Sequence, residues 1–207
     1  MNEYVSLKRI AQIRYGLGQP PPLSEHGIPI LRATNITRGK ITERGLLHAK
    51  LEDLPLDRAP LLDEGEILVV RSGAYTGDSA RITSKWAGSA PGYDLRVTPR
   101  SVDSQYLAHA FLSTGFQDQI NLASSRAAQP HLNAEELGEV ELWVPPLQEQ
   151  LRITAFLDAE TARIDQLNSL HRQVLAKLAE RRQSLITAAV TGQIDVSTAS
   201  GRGIDPT

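Results

Sequence analysis

The chain has 207 residues, 41% hydrophobic and 22% charged, which suffices for one packed domain of ordinary size and one further long element. It contains no cysteine, which excludes disulfides, thiolate metal sites and cysteine nucleophiles. The net charge is −2, with 15 basic against 18 acidic residues in 1–150 and 7 against 6 in 151–207. A nucleic-acid-binding protein usually carries a basic excess, so any DNA contact must come from a local patch or be shared with a more basic partner.

Residues 5–47 are predicted to form short strands separated by turns, and further strands are predicted up to residue 98. Glycines and prolines at 16–22 interrupt any regular element, and Gly65–Arg71 is the clearest strand of the chain. Its β-branched residues run without alternation, so this strand is predicted to be buried on both faces. A turn at 72–77 leads to a returning strand, and residues 92–98 supply another.

Helices are predicted in the next segment. Ser104–Thr114 places apolar residues on one face, and Asn133, followed by Glu136 at the third helical position, is typical of a helix N-cap. Residues 140–144 alternate as a half-buried strand would and close the domain. The pattern predicts an α+β fold, with a mixed α/β domain over residues 1–147.

One very long helix is predicted after this domain, over residues 148–192. It contains 44 residues, from Gln148 to Thr191, without an internal proline or glycine, between the pair Pro145-Pro146 and Gly192. At about 1.5 Å per residue it would be roughly 66 Å long. The polar residues 193–207 that follow are predicted to form a disordered tail.

The long helix carries an apolar stripe with the spacing of a coiled coil. Steps of four and three residues from Ile153 meet apolar side chains at eight of eleven positions. An alternative is a core helix that lies across its own domain, but a domain of this size is too small to cover it. The stripe predicts a partner helix, packed against Ile153, Leu157, Ile164, Leu167, His171, Val174, Leu178 and Leu185.

Catalytic and cofactor sites find little support in the sequence. The glycine-containing turn 73–79 lacks the Gly-Lys-Ser/Thr ending of a phosphate-binding loop, and the five histidines have no metal-ligand spacing. The sequence therefore predicts a protein that is not an enzyme and binds no cofactor or metal of its own. A hydrolase that uses scattered serine, histidine and acidic residues is a remote alternative.

Polar and basic residues on predicted loops remain as candidates for DNA contact. Arginine and lysine side chains bind guanine edges, and asparagine and glutamine bind adenine, so these residue types suit base recognition. The alternative is that they are solvated loop side chains. The candidates are Arg32, Asn35, Arg38, Lys40, Arg71, Ser72, Tyr75, Lys85, Arg96, Arg126, Gln129 and His131.

Five motifs in order over about 190 residues resemble the specificity (S) subunit of Type I restriction–modification systems. The recognition domain of this family is matched at its start, in its middle and at its end, and the last motif resembles the way such subunits end. The matching segments are Val5–Ile41, Gly65–Gly73, Gln129–Asn133, Val144–Gln150 and Leu185–Val196.

The resemblance implies a DNA target-recognition domain followed by a conserved helix that sets a spacing and docks methyltransferase (M) subunits. It implies S-adenosylmethionine in those subunits and ATP with Mg²⁺ in restriction (R) subunits, not in this chain. S subunits resemble two tandem copies of such a unit, whereas only one is present here, so the sequence looks like a half-subunit.

The N-terminus has no apolar signal-peptide core, and no window approaches 18 apolar residues, so a cytoplasmic protein without a membrane span is predicted.

A half-subunit predicts a homodimer through an antiparallel coiled coil. Leu167 would then lie opposite His171 of the second copy, Ile164 opposite Val174, and Ile153 opposite Leu185. Such a dimer would read two copies of one half-site in double-stranded DNA, separated and inverted. A coiled-coil adaptor that binds proteins and no DNA is the alternative, since it accounts for the acidic balance.

Overall fold

The computed structural model describes residues 4–124 and 131–194, and the chain divides into two units with the boundary after Phe156. The strands are β1 (Tyr4–Ser6), β2 (Ala11–Tyr15), β3 (Ile28–Leu31), β4 (Ile36–Thr37), β5 (Lys40–Ile41), β6 (Leu47–Ala49), β7 (Ile67–Val69), β8 (Ser79–Arg81), β9 (Ala90–Pro91), β10 (Leu95–Pro99) and β11 (Glu141–Trp143). The helices are α1 (Leu7–Ile10), α2 (Ser104–Phe111), α3 (Thr114–Ser124), α4 (Ala134–Glu139) and α5 (Leu147–Val190). The predicted α+β fold with a long final helix is confirmed.

An antiparallel four-stranded sheet in the order β2-β10-β7-β8 forms the centre of the first unit. Strand β10 lies between β2 and β7, and Leu95 pairs with both Tyr15 and Val69. Successive side chains of a strand point to opposite faces, so this register decides which residues of three strands share a face.

The first face of the central sheet packs against helices. Val69, Leu95 and Val97 are fully buried there, and they share a core with aliphatic and aromatic residues of α1 to α4. The helical members of this core are Leu7, Ile10, Leu107, Phe111, Phe116, Ile120 and Leu137. The rings of Phe111 and Phe116 stack with centroids 4.4 Å apart, which joins α2 to α3.

The second face covers a smaller core. Leu68 of β7 and Val70, which follows that strand, pack with Ala80, Ile82 and Leu31. Since every residue of β7 is buried, the prediction that this strand is covered on both faces is confirmed.

A buried ion pair also lies on the second face. The Arg96 guanidinium contacts both carboxylate oxygens of Glu66, with Nε–Oε1 and Nη2–Oε2 distances of 2.7 and 2.6 Å. Thr98 donates to Glu66 Oε1 at 2.6 Å, and Arg96 Nη1 donates to the Pro60 carbonyl at 2.9 Å. With Arg96 and Glu66 exposed by only 7% and 3%, these bonds offset the cost of removing two charges from water.

Three smaller sheets complete the first unit, in the orders β6-β3-β9, β4-β5 and β1-β11. The side chain of Gln119 bonds to the backbone N–H and carbonyl of Glu141 on β11, both at 2.9 Å. The Tyr106 hydroxyl donates to the Trp143 carbonyl at 2.7 Å. Side chains thus satisfy the outer hydrogen-bonding groups of β11 and hinder another strand from adding there.

Local sequence signals account for most helix starts. Asn133 and Glu136 form a reciprocal capping box at the start of α4, with bonds of 2.8 and 3.0 Å, as predicted. Asp103 caps α2 by accepting from the Tyr106 N–H. Helix α1 was not predicted: a single turn forms because Leu7 and Ile10, three residues apart, both enter the core.

Helix α5 contains 44 residues and follows the two prolines that the sequence marks as its start. At its end, Gly192 has a φ of +74°, its N–H donates to the Ala189 carbonyl, and the Gln193 N–H donates to the Ala188 carbonyl at 2.8 Å. These two bonds and the left-handed glycine define a Schellman motif, which stops the helix.

The apolar stripe of α5 is largely exposed. Ile153 and Leu157 are half-buried, whereas Ile164, Leu167, Val174, Leu178 and Leu185 each expose 50–54% of their surface. His171 is exposed as well. A helix with a continuous exposed stripe is stable in water only when another apolar surface covers it.

We expect the substitution Arg96→Ala to lower the free energy of unfolding by about 3–5 kcal/mol, because Glu66 would remain buried without its partner. Arg100→Ala is the control, since the Arg100 side chain is exposed and its guanidinium donates to the side chain of Gln12, and its effect should stay within about 0.5 kcal/mol. Chemical denaturation of both variants measures the difference. Equal stabilities would show that the ion pair does not support the fold.

Candidate nucleic-acid interface

The residues predicted to contact DNA lie in several different environments. Arg126 and Gln129 lie outside the described residues. Asn35 and Arg96 are buried, and the others are exposed or half-buried. The candidate interface is therefore smaller than the sequence predicts.

The structure does not support a DNA contact by Asn35. Its side chain is fully buried: Nδ2 donates to the carbonyls of Thr42 and Arg44, each at 3.1 Å, and Oδ1 accepts from the Arg32 N–H at 3.2 Å. A side-chain amide with these bonds already made has little capacity left for a base edge. Asn35 fixes the backbone around the β4–β5 hairpin instead.

Arg96 requires the same correction. The sequence predicts Arg96 on a loop, but it lies near the middle of β10, where its guanidinium is paired with Glu66. DNA cannot reach a side chain that is buried in this way. Its role is structural.

Lys85 and the β4–β5 hairpin present exposed basic groups. Lys85 Nζ lies 2.7 Å from Glu43 Oε1, and the hydrogen bond and charge of Lys85 lower the pKa of that carboxyl. Arg38 and Gly39 have positive φ values of 39° and 84°, and together they make the tight turn of the hairpin. Arg38 is therefore exposed within this tight turn, and Lys40 is exposed at the start of β5, directly after it.

Four side chains from distant parts of the sequence meet beyond one end of the central sheet, and we call them the Arg71 cluster: Tyr15, Arg71, Tyr93 and His131. The Arg71 guanidinium carbon lies 4.7 Å from the ring centroid of Tyr15 and 4.4 Å from that of Tyr93. Its Nη2 lies 3.0 Å from His131 Nε2. Because arginine only donates, His131 accepts through Nε2 in this geometry.

The backbone holds the Arg71 cluster together as well. The Leu132 N–H donates to the Arg71 carbonyl at 2.7 Å, and Ser72 forms an antiparallel bridge with His131. Of the predicted residues, the structure thus brings Arg71, Ser72 and His131 together. Arg32 borders the same cavity as Ser72 and Tyr93, and its Nη2 donates to the Gly45 carbonyl at 2.9 Å. Tyr75 is half-exposed in the turn after β7.

The buried side chain of Asp94 binds the backbone of Arg71. It is 3% exposed, and its Oδ1 accepts from the Arg71 N–H at 3.2 Å. Burial raises the pKa of the Asp94 carboxyl to about 6, against the opposing effects of this bond, of the Arg71 charge and of a bond from the Ala33 backbone. A buried carboxyl with a perturbed pKa beside a cation is a frequent feature of functional sites.

Sequence reasoning missed Tyr15 and Tyr93, which are 47% and 51% exposed. The sequence predicts short strands around Tyr15 without giving their bounds, and it predicts Tyr93 inside the strand at 92–98. No local motif marks either residue. Only the pairing of β2 and β7 with β10 brings them to Arg71.

The cluster does not have the geometry of a hydrolase. His131 Nε2, the nitrogen that a serine nucleophile would need as its base, is next to the Arg71 cation. Within residues 4–124 and 131–194, no three histidine, aspartate or glutamate side chains gather as metal ligands do. Over the same residues, no helix combines the length and apolar character required to cross a lipid bilayer.

Comparison with known families assigns most of the chain to one domain type. The model of the Type I restriction modification DNA specificity domain matches residues 3–179. The matched segment includes the central sheet, the Arg71 cluster and more than half of α5.

The chain is similar to curated relatives and to solved structures. The specificity subunit of the Type I restriction enzyme StySPI from Salmonella potsdam is 25% identical over 175 residues, which cover 83% of this chain and 38% of that protein. The HsdS subunit of Thermoanaerobacter tengcongensis shares the fold, with a TM-score of 0.61 and 16% identity over 99% of this chain and 51% of that one. A chain from a structure on assembly and conformational transition of the type I R-M system gives a TM-score of 0.65 with 17% identity, again over 99% and 51%.

The pKa of Asp94 predicts how stability depends on pH. Its folded-state pKa of about 6 exceeds the unfolded value of about 3.9, so the folded chain binds more protons between these values. The contribution of Asp94 to the unfolding free energy is therefore most favourable below about pH 4 and falls as pH rises to about 6. Asp94→Asn removes this titration.

We expect the difference in unfolding free energy between Asp94→Asn and the natural chain to change by about 2 kcal/mol between pH 4 and pH 7, in favour of the variant at pH 7. Urea denaturation at both pH values measures it. A difference that is the same at both values would show that Asp94 does not titrate in this range.

Proposed function

We propose, from the fact that this chain belongs to the Type I restriction modification DNA specificity domain family, that it is the DNA sequence-specificity component of such a complex. The observation that carries the proposal is that one family match spans both the folded domain and most of α5. Its curated relatives are specificity subunits, which are the non-catalytic part of these systems.

The match covers 38% of the length of the StySPI specificity subunit and 51% of each of the two solved chains described above. In the proposed function its first unit therefore reads one half of a bipartite target in double-stranded DNA. The exposed hairpin residues Arg38 and Lys40 and the Arg71 cluster are the contacts that the structure leaves accessible. Lys85, Tyr75 and Arg32 lie on further loops that DNA could reach.

The second half of the target would be read by a second copy, held through α5. The exposed stripe supports this, since its residues have coiled-coil spacing and lack cover. In the antiparallel register that pairs Leu167 with His171, the two-fold axis passes near Ser169. Leu170 lies beside the stripe and is 49% exposed, and it would then contact Leu170 of the second copy.

The charge distribution along α5 also favours antiparallel pairing. Residues 147–168 carry four acidic and two basic side chains, whereas residues 169–190 carry one acidic and four basic. Antiparallel helices place the acidic half of one chain beside the basic half of the other. The same distribution suits the dipole of each helix, because acidic groups lie toward its N-terminus.

Methyltransferase and restriction subunits would assemble on this dimer. They would bind S-adenosylmethionine, and ATP with Mg²⁺, so that the present chain supplies sequence recognition and spacing only. With a net charge of −2, it would share the neutralisation of DNA phosphates with these partners. Such a complex acts on DNA in the cytoplasm.

Methylation mapping tests the function directly. We expect co-expression of the chain with its neighbouring methyltransferase subunit to produce methyladenine at a split palindromic motif, detected by single-molecule sequencing of the host genome. The motif should be absent when the chain is omitted. A split asymmetric motif would instead indicate a different second half, and no motif from a soluble, associated complex would favour a protein adaptor.

Aspartate substitutions in the apolar stripe test whether the chain dimerises through it. We expect Leu167→Asp combined with Leu178→Asp to convert the dimer to a monomer in sedimentation, because each change places carboxylates within the apolar seam of both helices. Asp substitutions at Gln166 and Gln173, on the outer face, provide the matched control. An intact dimer in the first variant would exclude this seam.

The register makes a sharper prediction. Arg163 and Lys177 flank the seam and face each other between chains, so two repulsive pairs oppose the homodimer. We expect Arg163→Glu to tighten the dimer about 5- to 30-fold, since two attractive pairs at about 0.5–1 kcal/mol each replace them. Arg172→Glu, an equal charge change on the outer face, should leave the dissociation constant within about twofold, and equal effects of both variants would contradict the register.

A further inference from the structure

We propose that Tyr15 and Tyr93 contact DNA, and that Arg71 is a positioning residue that holds their rings rather than a group that binds DNA itself. The proposal rests on the DNA-specificity function proposed above. It adds two residues to the interface and changes the role of a third.

The register of the central sheet brings these residues to one face. Leu95 pairs with Tyr15 on one side and with Val69 on the other, so these three side chains lie in a row. Arg71 and Tyr93 lie two residues beyond Val69 and Leu95, and therefore on the same face. The row of buried apolar side chains on this face thus ends in two tyrosines and an arginine.

The Arg71 side chain and backbone are held by more contacts within the domain than an arginine that is available to bind phosphate would make. Its guanidinium contacts two tyrosine rings and its Nη2 contacts His131, while its Nε is buried and has no hydrogen-bond partner among the described residues. Its backbone is bound on both sides, by Asp94 and Leu132. Folding has therefore already ordered this side chain, and through it the rings of Tyr15 and Tyr93.

The tyrosines offer what remains accessible in the cluster. Each exposes about half of its surface, although Val69 and Leu95, next in the same row, are fully buried. Rigid, half-exposed tyrosines provide a large contact area with little further loss of conformational freedom on binding.

The chemistry of the pair favours an acceptor-rich partner. The Tyr15 hydroxyl accepts from the Ala134 N–H at 3.2 Å, so its own proton is left to donate. The Arg71 charge lies between the rings and favours phosphate and base oxygens, and the Asp94 carboxyl beside the Arg71 backbone offsets part of this charge. Tyr93 also borders a largely apolar cavity of about 370 Å³ with Leu17 and Pro20, where a deoxyribose or a thymine methyl group would fit.

The test uses the complex of the full chain with its methyltransferase partner, and duplex DNA that carries the mapped motif. We expect the double variant Tyr15→Phe with Tyr93→Phe, which keeps both rings, to raise the dissociation constant about tenfold. Since no charge is lost, the slope of log K against log salt should not change. Tyr4→Phe, an exposed tyrosine on β1, is the matched control and should bind as the natural chain does.

Substitution of Arg71 separates positioning from direct contact. We expect Arg71→Gln to weaken motif binding at least tenfold with an unchanged salt slope, and Arg71→Lys not to restore it, because lysine lacks the planar group that stacks between the rings. A slope reduced by about 0.9 in Arg71→Gln, with binding restored by lysine, would show a direct phosphate contact and overturn the proposal. Circular dichroism of each variant reports on folding, and the phenylalanine pair tests the proposal even if Arg71→Gln unfolds.

Other outcomes are distinguishable. Phenylalanine variants that bind DNA normally but assemble poorly with the methyltransferase would overturn the proposal in favour of a protein contact. If the natural complex does not prefer motif DNA over DNA without the motif, the DNA-specificity function itself fails. Normal DNA binding and normal assembly of the phenylalanine pair would overturn only the tyrosine assignment.

Discussion

The register of β10 between β2 and β7 is the constraint on which the rest of the first unit depends. Leu95 and Val97 face the helices, whereas Arg96 and Thr98 face Glu66 on the opposite side. A shift by one residue would exchange these faces and place the arginine in the larger apolar core. The buried ion pair therefore works against a wrong register, because only one alignment gives the guanidinium its carboxylate.

Features that depend on neighbours in sequence could be predicted. The prolines at 145–146 and Gly192 mark the limits of α5, and the residues at 133 and 136 mark the start of α4, since capping is a local interaction. The continuous β-branched run at 65–71 is enough to indicate a strand covered on both faces. The spacing of the stripe on α5 could also be read directly, although the helix that would cover it could not.

Features that depend on distant pairing could not be predicted. Arg96 and Asn35 are residue types that suit DNA recognition. The sequence does not show that the Arg96 guanidinium pairs with Glu66, or that the Asn35 side chain donates to two backbone carbonyls. Tyr15 and Tyr93 are 78 residues apart, and only the sheet joins them. The sequence also overstates how many basic groups are available to DNA, because several cations, including Arg96, Arg71 and Lys85, interact within the domain itself.

The exposed stripe of α5 affects how much unpaired chain can accumulate in a cell. A newly made chain displays a row of leucines and an isoleucine to water, the kind of surface that chaperones retain and proteases remove. In the proposed function, a copy without a partner would be removed through the same residues that would hold a finished assembly together. The cellular supply of sequence recognition would then be limited by assembly rather than by synthesis, and surplus chains without a partner would not accumulate.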